Sequence, residues 1–250
     1  MKLDSTRLRF FLYVLLWLLL IGPGSATAEQ WRWTGVERIV AVGDVHGAFD
    51  ELTSTLKKAG VIDANLSWSG GAAHLVSMGD LVDRSARSRE VLDLIMRLQS
   101  EASAAGGAVH VLLGNHEAMR VTGEMEYVTD EEYAAFRQEE DPATRQSAYQ
   151  RFLQRQSKPD GDAAQAAFLE SYPPGFFGLQ AAFSPTGRYG AWILERPVVI
   201  VINETLFVHG GLTDAMAEGD LEAVNSRYRS DLGIYAMSLQ ALLEAGALDM

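Results

Sequence analysis

Arg38-Ile39-Val40-Ala41-Val42-Gly43-Asp44-Val45-His46-Gly47 is the stretch from which the rest of the chain can be read. An apolar, β-branched run stops abruptly at Gly-Asp, the pattern of a buried strand emptying into a loop. Leu52, Leu56 and Ala59 then recur at helical spacing, and Gly60 closes that element. The pattern returns at His74-Leu75-Val76-Ser77-Met78, which runs into Gly79-Asp80. An amphipathic helix from Arg89 to Ser100 follows, with Val91, Leu92, Ile95 and Leu98 on one side. Ala108-Val109-His110-Val111-Leu112-Leu113 makes a third strand, ending at Gly114-Asn115-His116-Glu117. Three strand-loop-helix units in succession predict an α/β fold with parallel strands, whose ligands bind at the carboxyl ends of those strands.

Beyond this frame the pattern changes. From about Glu124 to Gly187 the chain turns charged and Gln/Ala-rich, with Pro173-Pro174 and Phe176-Phe177 near the end. This predicts a helical insert, either a cap packed beside the sheet or a lid shaping substrate access. Strand character is expected again at Trp192-Ile193-Leu194 and from Pro197 to Ile202. A hairpin through Asn203-Glu204-Thr205 then leads into Leu206-Phe207-Val208 and His209-Gly210-Gly211. Leu221 to Met250 reads as mostly helical, and its apolar run from Leu239 to Ala247 is expected of a chain that continues further.

At the N-terminus, Lys2, Arg7 and Arg9 precede an apolar run from Phe10 to Ile21 and the small residues Ala26-Thr27-Ala28. That layout predicts a secretory signal peptide over 1–28, cleaved after Ala28, and the run is short of the ~20 apolar residues a spanning helix needs. The expected location is the bacterial periplasm or outside the cell. The 250 residues include no cysteine, so an exported chain would rely on core packing and bound ligands rather than disulfides. The 48% hydrophobic content supports one sizeable domain over 29–250. The formal charge is −12; losing Lys2, Arg7, Arg9 and Asp4, a net +2, leaves −14. So acidic a surface argues against nucleic acid as a partner.

Each of four apolar strands empties into a loop of metal-ligand residues: Asp44 with His46, Asp80 with Asp83, Asn115 with His116, and His209. Carboxylate, imidazole and amide oxygen suit divalent Mn, Fe, Zn or Mg rather than a soft metal. The glycines at these strand ends are expected to supply positive φ or room for close approach. Any one motif is weak, since a lone Gly-Asp after a strand is usually a turn. Their joint occurrence, every one at a strand end, is not a chance pattern.

Gly43-Asp44-Val45-His46-Gly47, Gly79-Asp80-Leu81-Val82-Asp83-Arg84, Gly114-Asn115-His116-Glu117 and His209-Gly210-Gly211 together resemble the signature of the calcineurin-like metallophosphoesterases. More narrowly they are similar to the phosphoprotein phosphatases, nearest the bacterial Shewanella-like branch. The resemblance spans roughly Ile39 to Leu212 apart from the insert, and implies a two-sheet β-sandwich flanked by helices. It implies that Asp44 and His46 bind one metal, that Asp80 bridges two, and that Asn115 and His209 bind the second. Two ions ~4 Å apart can clamp a phosphate and turn a bridging water into a nucleophile at neutral pH. It further implies that His116 protonates the leaving oxygen, that Asp83 orients it, and that Arg84 takes phosphate oxygens. Manganese is the expected metal.

Other residues carry plainer expectations. His74 and His110 read as sheet residues, Glu117 as support for the ligands, and Arg120, Arg227 and Arg229 as solvated helix-face arginines. Ser85 stands where the family usually has glycine, and no histidine follows His209, where the family has one more metal ligand. The expected activity is hydrolysis of phosphomonoesters on protein side chains, Ser/Thr or Tyr. Dinucleoside polyphosphate hydrolysis and a non-catalytic phosphate-binding module are the alternatives.

Overall fold

The computed structural model describes residues 30–156, 160–214 and 220–246. The chain divides into two units, 1–30 and 31–250. Of the first only Gln30 is described, so the signal-peptide segment lies outside the described residues. Among the described residues no helix is long and apolar enough to cross a membrane.

In the second unit the Ile39 run forms β2 (Ile39–Val42), and the two repeats form β3 (His74–Ser77) and β4 (Ala108–Val111). They lie side by side as a parallel sheet, with Val40 opposite Leu75 and Leu75 opposite Val109. The helices between them, α1 (Phe49–Lys58) and α2 (Ser88–Ala104), bury the predicted faces, including Leu52, Leu56, Val91, Leu92, Ile95 and Leu98. A second three-stranded sheet joins β1 (Arg32–Trp33), β5 (Val199–Ile202) and β6 (Thr205–Val208). β1 runs parallel to β5, and β5 and β6 form the expected antiparallel hairpin. Its turn sits at Asn203, which takes a left-handed φ of 55°, a conformation that asparagine tolerates.

Period-two alternation sorts the side chains of both sheets. Val76, Leu112, Ile200 and Ile202 form one apolar layer with Trp33, Ile39 and Phe207, which packs the two sheets face to face. Leu75, Val109, Val111, Val199 and Val201 point the other way, into the larger core shared with the helices. His110 lies in the inter-sheet layer, its Nε2 3.0 Å from His74 Nδ1 and its ring 4.2 Å from that of Trp33. These are sheet residues, as read from the sequence. Burial and the neighbouring His74 push His110 down to about 4.

After β4 the chain enters α3 (Asn115–Val121) and a helical region holding α4 (Asp130–Ala134), α5 (Pro142–Gln156), α6 (Asp162–Ser171) and α7 (Phe176–Phe183). Trp192-Ile193-Leu194 is a correction, because it closes α8 (Arg188–Leu194) and is not a strand. Tyr189 and Ile193, four apart, bury on one face of α8, Tyr189 Oη donates to Asp93 and Trp192 Nε1 to Gln99, both on α2. Packing against α2 overrides the β propensity of three bulky residues. The tail forms α9 (Leu221–Glu244), where Asn225 ties into β5 through the N–H groups of Val198 and Val199 and the carbonyl of Val199.

Candidate active site

The loops at the carboxyl ends of β2, β3, β4 and β6 meet. Val45 and His46 donate their N–H groups to the carbonyl of Asp80, and Gly47 donates to that of Leu81, knitting the first loop to the second. Glu117, fully buried on α3, accepts from the N–H groups of Asp80, Leu81 and Gly114 at 2.7–2.9 Å, knitting the second loop to the third. Burial pushes its carboxyl above the usual range against the pull of those donors. Its carboxylate oxygens are taken up by these backbone donors, and it is not among the residues whose ligand atoms cluster around Asp80. The fourth loop is tied in by His209 Nδ1, 2.7 Å from the carbonyl of Met78.

Asp44, His46, Asp80, Asn115 and His209 converge around the carboxylate of Asp80. His46 Nε2 lies 3.7 Å and His209 Nε2 3.4 Å from Asp80 Oδ2, and His46 Nε2 lies 3.9 Å from Asp44 Oδ2. Asn115 Oδ1 is 3.1 Å from His209 Nε2. Ligand atoms of Asp44, Asp80 and His209 fall within 4.8 Å of one another. The imidazoles are set for metal: Nδ1 of each faces a backbone carbonyl, Val82 at 3.0 Å for His46 and Met78 for His209. A proton held there leaves the Nε2 lone pair aimed at the carboxylates. Carboxylate, amide and imidazole acceptors thus face one another, an arrangement a divalent cation fits and one that repels without it.

His116 also lies within 4.8 Å of His46 and Asp80, but both of its nitrogens are engaged. Nδ1 is 2.7 Å from Asp83 Oδ2, and Nε2 is 3.1 Å from Arg84 Nη2. A guanidinium only donates, so Nε2 accepts and Nδ1 carries the proton toward Asp83. The backbone N–H of His116 donates to Asp80 Oδ1, which links this trio to the acceptor cluster.

Strain concentrates here. His46, Asp80, Asp83 and Arg84 all hold left-handed φ, between 47° and 73°. Such a conformation costs about 1–3 kcal/mol per residue and persists where surrounding contacts over-determine it. Ser85 itself is not left-handed, so serine fits the position without strain and its N–H bonds the carbonyl of Asp83. Glycine is required at Gly79, with φ +99° and Gly114 N only 2.6 Å from where a Cβ would sit. At Gly43 the expectation fails, since φ is ordinary and nothing lies within 4 Å.

Arg120 is a second correction. It is buried, not solvated: Nη2 pairs with Asp83 Oδ1 at 2.5 Å and with Glu132 Oε1 at 2.9 Å. Glu132 on α4 also closes a capping box with Thr129. The Thr129-x-x-Glu132 spacing is legible as a helix start, but nothing local shows that the carboxylate reaches across to the site. Arg227 and Arg229 stay apart: Arg227 pairs with Asp231, and Arg229 donates to the carbonyl of Glu195.

A family model described as calcineurin-like phosphoesterase matches residues 37–233. The chain belongs to that family. Calcineurin-like phosphoesterases are metal-dependent hydrolases, and the acceptor cluster is where this member offers a metal site. Shewanella-like protein phosphatase 2 of Arabidopsis thaliana is 31% identical over 206 residues, covering 80% of this chain and 53% of that protein. The crystal structure of a cold-active protein-tyrosine phosphatase from a psychrophilic Shewanella species superposes with a TM-score of 0.59 at 28% identity, covering 82% of this chain and 51% of that one. A symmetrical bis(5'-nucleosyl)-tetraphosphatase of Neisseria gonorrhoeae is 35% identical over 77 residues, 31% of this chain and 23% of that protein. The chain spans about half the length of the protein phosphatases it matches.

Proposed function

We propose that this protein is a metal-dependent phosphomonoesterase acting on phosphorylated protein side chains. The observation that carries the reading is the Arg84–His116–Asp83 trio standing against the acceptor cluster of Asp44, His46, Asp80, Asn115 and His209. The cluster would hold two divalent ions, Asp44 and His46 on one, Asn115 and His209 on the other, and Asp80 between them. Bound there, they supply Lewis-acid polarisation of the phosphate and a water nucleophile at neutral pH. Mn, Fe, Zn and Mg all suit these donors, and manganese is our choice.

The residues around the cluster then have separate tasks. Arg84 is exposed and its planar guanidinium suits two phosphate oxygens. In the structure it occupies His116 Nε2, so binding phosphate would draw it off that nitrogen. Once protonated, Nε2 can give its proton to the departing ester oxygen. Asp83 stabilises the charged ring through Nδ1, and Arg120 holds Asp83 in place.

Purified protein supplied with Mn²⁺ and offered a phosphotyrosine peptide, a phosphoserine peptide, p-nitrophenyl phosphate and a dinucleoside tetraphosphate tests this directly. Release of phosphate from the first three supports the reading. Turnover of the tetraphosphate alone would replace it with the nucleotide hydrolase suggested by the Neisseria similarity. Binding of phosphopeptide without turnover would make the protein a recognition module. The basic, apolar and Ala-Thr-Ala pattern of residues 1–28 supports export to the periplasm with cleavage after Ala28. N-terminal sequencing of the exported protein checks it, and a retained Met1 would refute it.

A further inference from the structure

We propose that the ring of Tyr127 is the platform on which the leaving group rests, and so a specificity-determining residue of this site. This builds on the phosphomonoesterase reading. Tyr127 lies between α3 and α4, away from every motif that marks the site in sequence. Its ring centroid stands 5.1 Å from that of His116, and the guanidinium carbon of Arg84 lies 5.6 Å from the same ring. Its carbonyl accepts the N–H of Arg84 at 3.0 Å, which helps fix the left-handed backbone there. The backbone is anchored on both sides. Two residues upstream Met125 Sδ lies 3.6 Å from Arg120 Nη1, and two residues downstream Thr129 opens the capping box with Glu132.

His116 is 1% exposed, whereas Tyr127 is 40% exposed, so part of Tyr127 stays open to solvent beside the buried imidazole. With phosphate on Arg84 and the ester oxygen at His116 Nε2, the departing group comes within reach of the Tyr127 ring, which neighbours both residues. A planar aryl group can stack on it, while the short aliphatic stem of a phosphoserine has no ring to offer. Stacking of this kind changes affinity roughly threefold to tenfold. The ring therefore favours aryl esters, phosphotyrosine among them, over alkyl esters.

The test is a set of three variants, Tyr127→Leu, Tyr127→Ala and Tyr127→Phe, assayed with Mn²⁺ on peptides that differ only in phosphotyrosine or phosphoserine. Tyr127→Leu and Tyr127→Ala should raise KM for the phosphotyrosine peptide roughly threefold to tenfold more than for the phosphoserine peptide, whatever change the two substrates share through Arg84 and His116. Tyr127→Phe should behave as wild type. Calorimetric titration of the metal-loaded protein with phenylphosphonate and methylphosphonate reads the same contact without turnover, and only the phenyl compound should weaken. Equal changes for both peptides, or no change for either phosphonate, would overturn the platform while leaving the phosphatase reading intact. A wild type that hydrolyses neither peptide would instead overturn that reading, with the phosphonate pair still deciding the role of the ring.

Discussion

Arg120 and Asp83 are locked together inside the protein, Nη2 to Oδ1 at 2.5 Å, with both side chains almost wholly screened from solvent. Asp83 turns its other oxygen to His116, and Arg120 turns to Glu132 on α4. A residue of the helical region thus reaches the candidate general acid through two intermediaries, Glu132 to Arg120 to Asp83 to His116. The region is tied by side-chain contacts into the candidate site rather than set beside it.

Removing the arginine should expose what that pairing contributes. Arg120→Leu leaves Asp83 and Glu132 as buried carboxylates without a cation, which typically costs about 3–5 kcal/mol. Urea unfolding should show a loss of that size. Glu132→Gln keeps one oxygen for Arg120 and should cost less. If Arg120→Leu unfolded at the wild-type denaturant concentration, the buried network would not exist in solution.

His116→Asn should keep metal and lose chemistry. The asparagine removes the proton donor while the Asp44, His46, Asp80, Asn115 and His209 cluster is untouched, so kcat should fall roughly 10²- to 10⁴-fold with metal content unchanged. Loss of metal in this variant would make His116 a ligand after all.

Two glycines at equivalent strand ends should respond in opposite ways. Gly79→Ala must carry a Cβ into Gly114 at φ +99°, which predicts a loss of more than about 1 kcal/mol together with activity. Gly43→Ala meets nothing within 4 Å and should stay within about 0.5 kcal/mol of wild type. Thermal melts of the pair decide the matter, and equal shifts would contradict the local geometry.

Acid should weaken the inter-sheet layer through His110. Its folded pKa is pushed from 6.5 down to about 4 by burial, first, and by His74. The unfolded chain therefore takes up a proton before the folded one does, and stability falls as pH drops from about 6.5 toward about 4. The full effect is on the order of 3 kcal/mol. His110→Phe should flatten the stability profile across that window, and an unchanged slope would show that the ring is not held neutral.

Much of this was legible in the sequence because the signals are local. A short apolar run that stops at Gly-Asp states where its loop emerges, as Val40–Asp44 and Val76–Asp80 do, but not its burial: Leu75, Val76 and Ser77 are buried, whereas β2 is only partly so, with Ala41 exposed. Parallel pairing then brings Asp44, Asp80 and Asn115 to one edge. What local pattern could not show is where a side chain ends up after packing. Trp192-Ile193-Leu194 has strand-like residues, yet Tyr189 and Trp192 find their partners Asp93 and Gln99 on α2, and that contact decides for helix. Arg120 looks like a helix-face arginine until α4, twelve residues on, covers it with Glu132. Tyr127 belongs to no motif, and only the tertiary placement of its loop puts it over His116.

Metal stoichiometry is the most direct measure of whether the four strand-end loops build a di-metal centre. Purified wild type and Asp80→Asn, dialysed against Mn²⁺ and analysed by plasma mass spectrometry, should differ sharply: two ions per chain for wild type, and loss of both when the shared carboxylate at the middle of the cluster becomes an amide. Metal-free wild type, or an Asp80→Asn protein that retains both ions, would contradict the proposed centre.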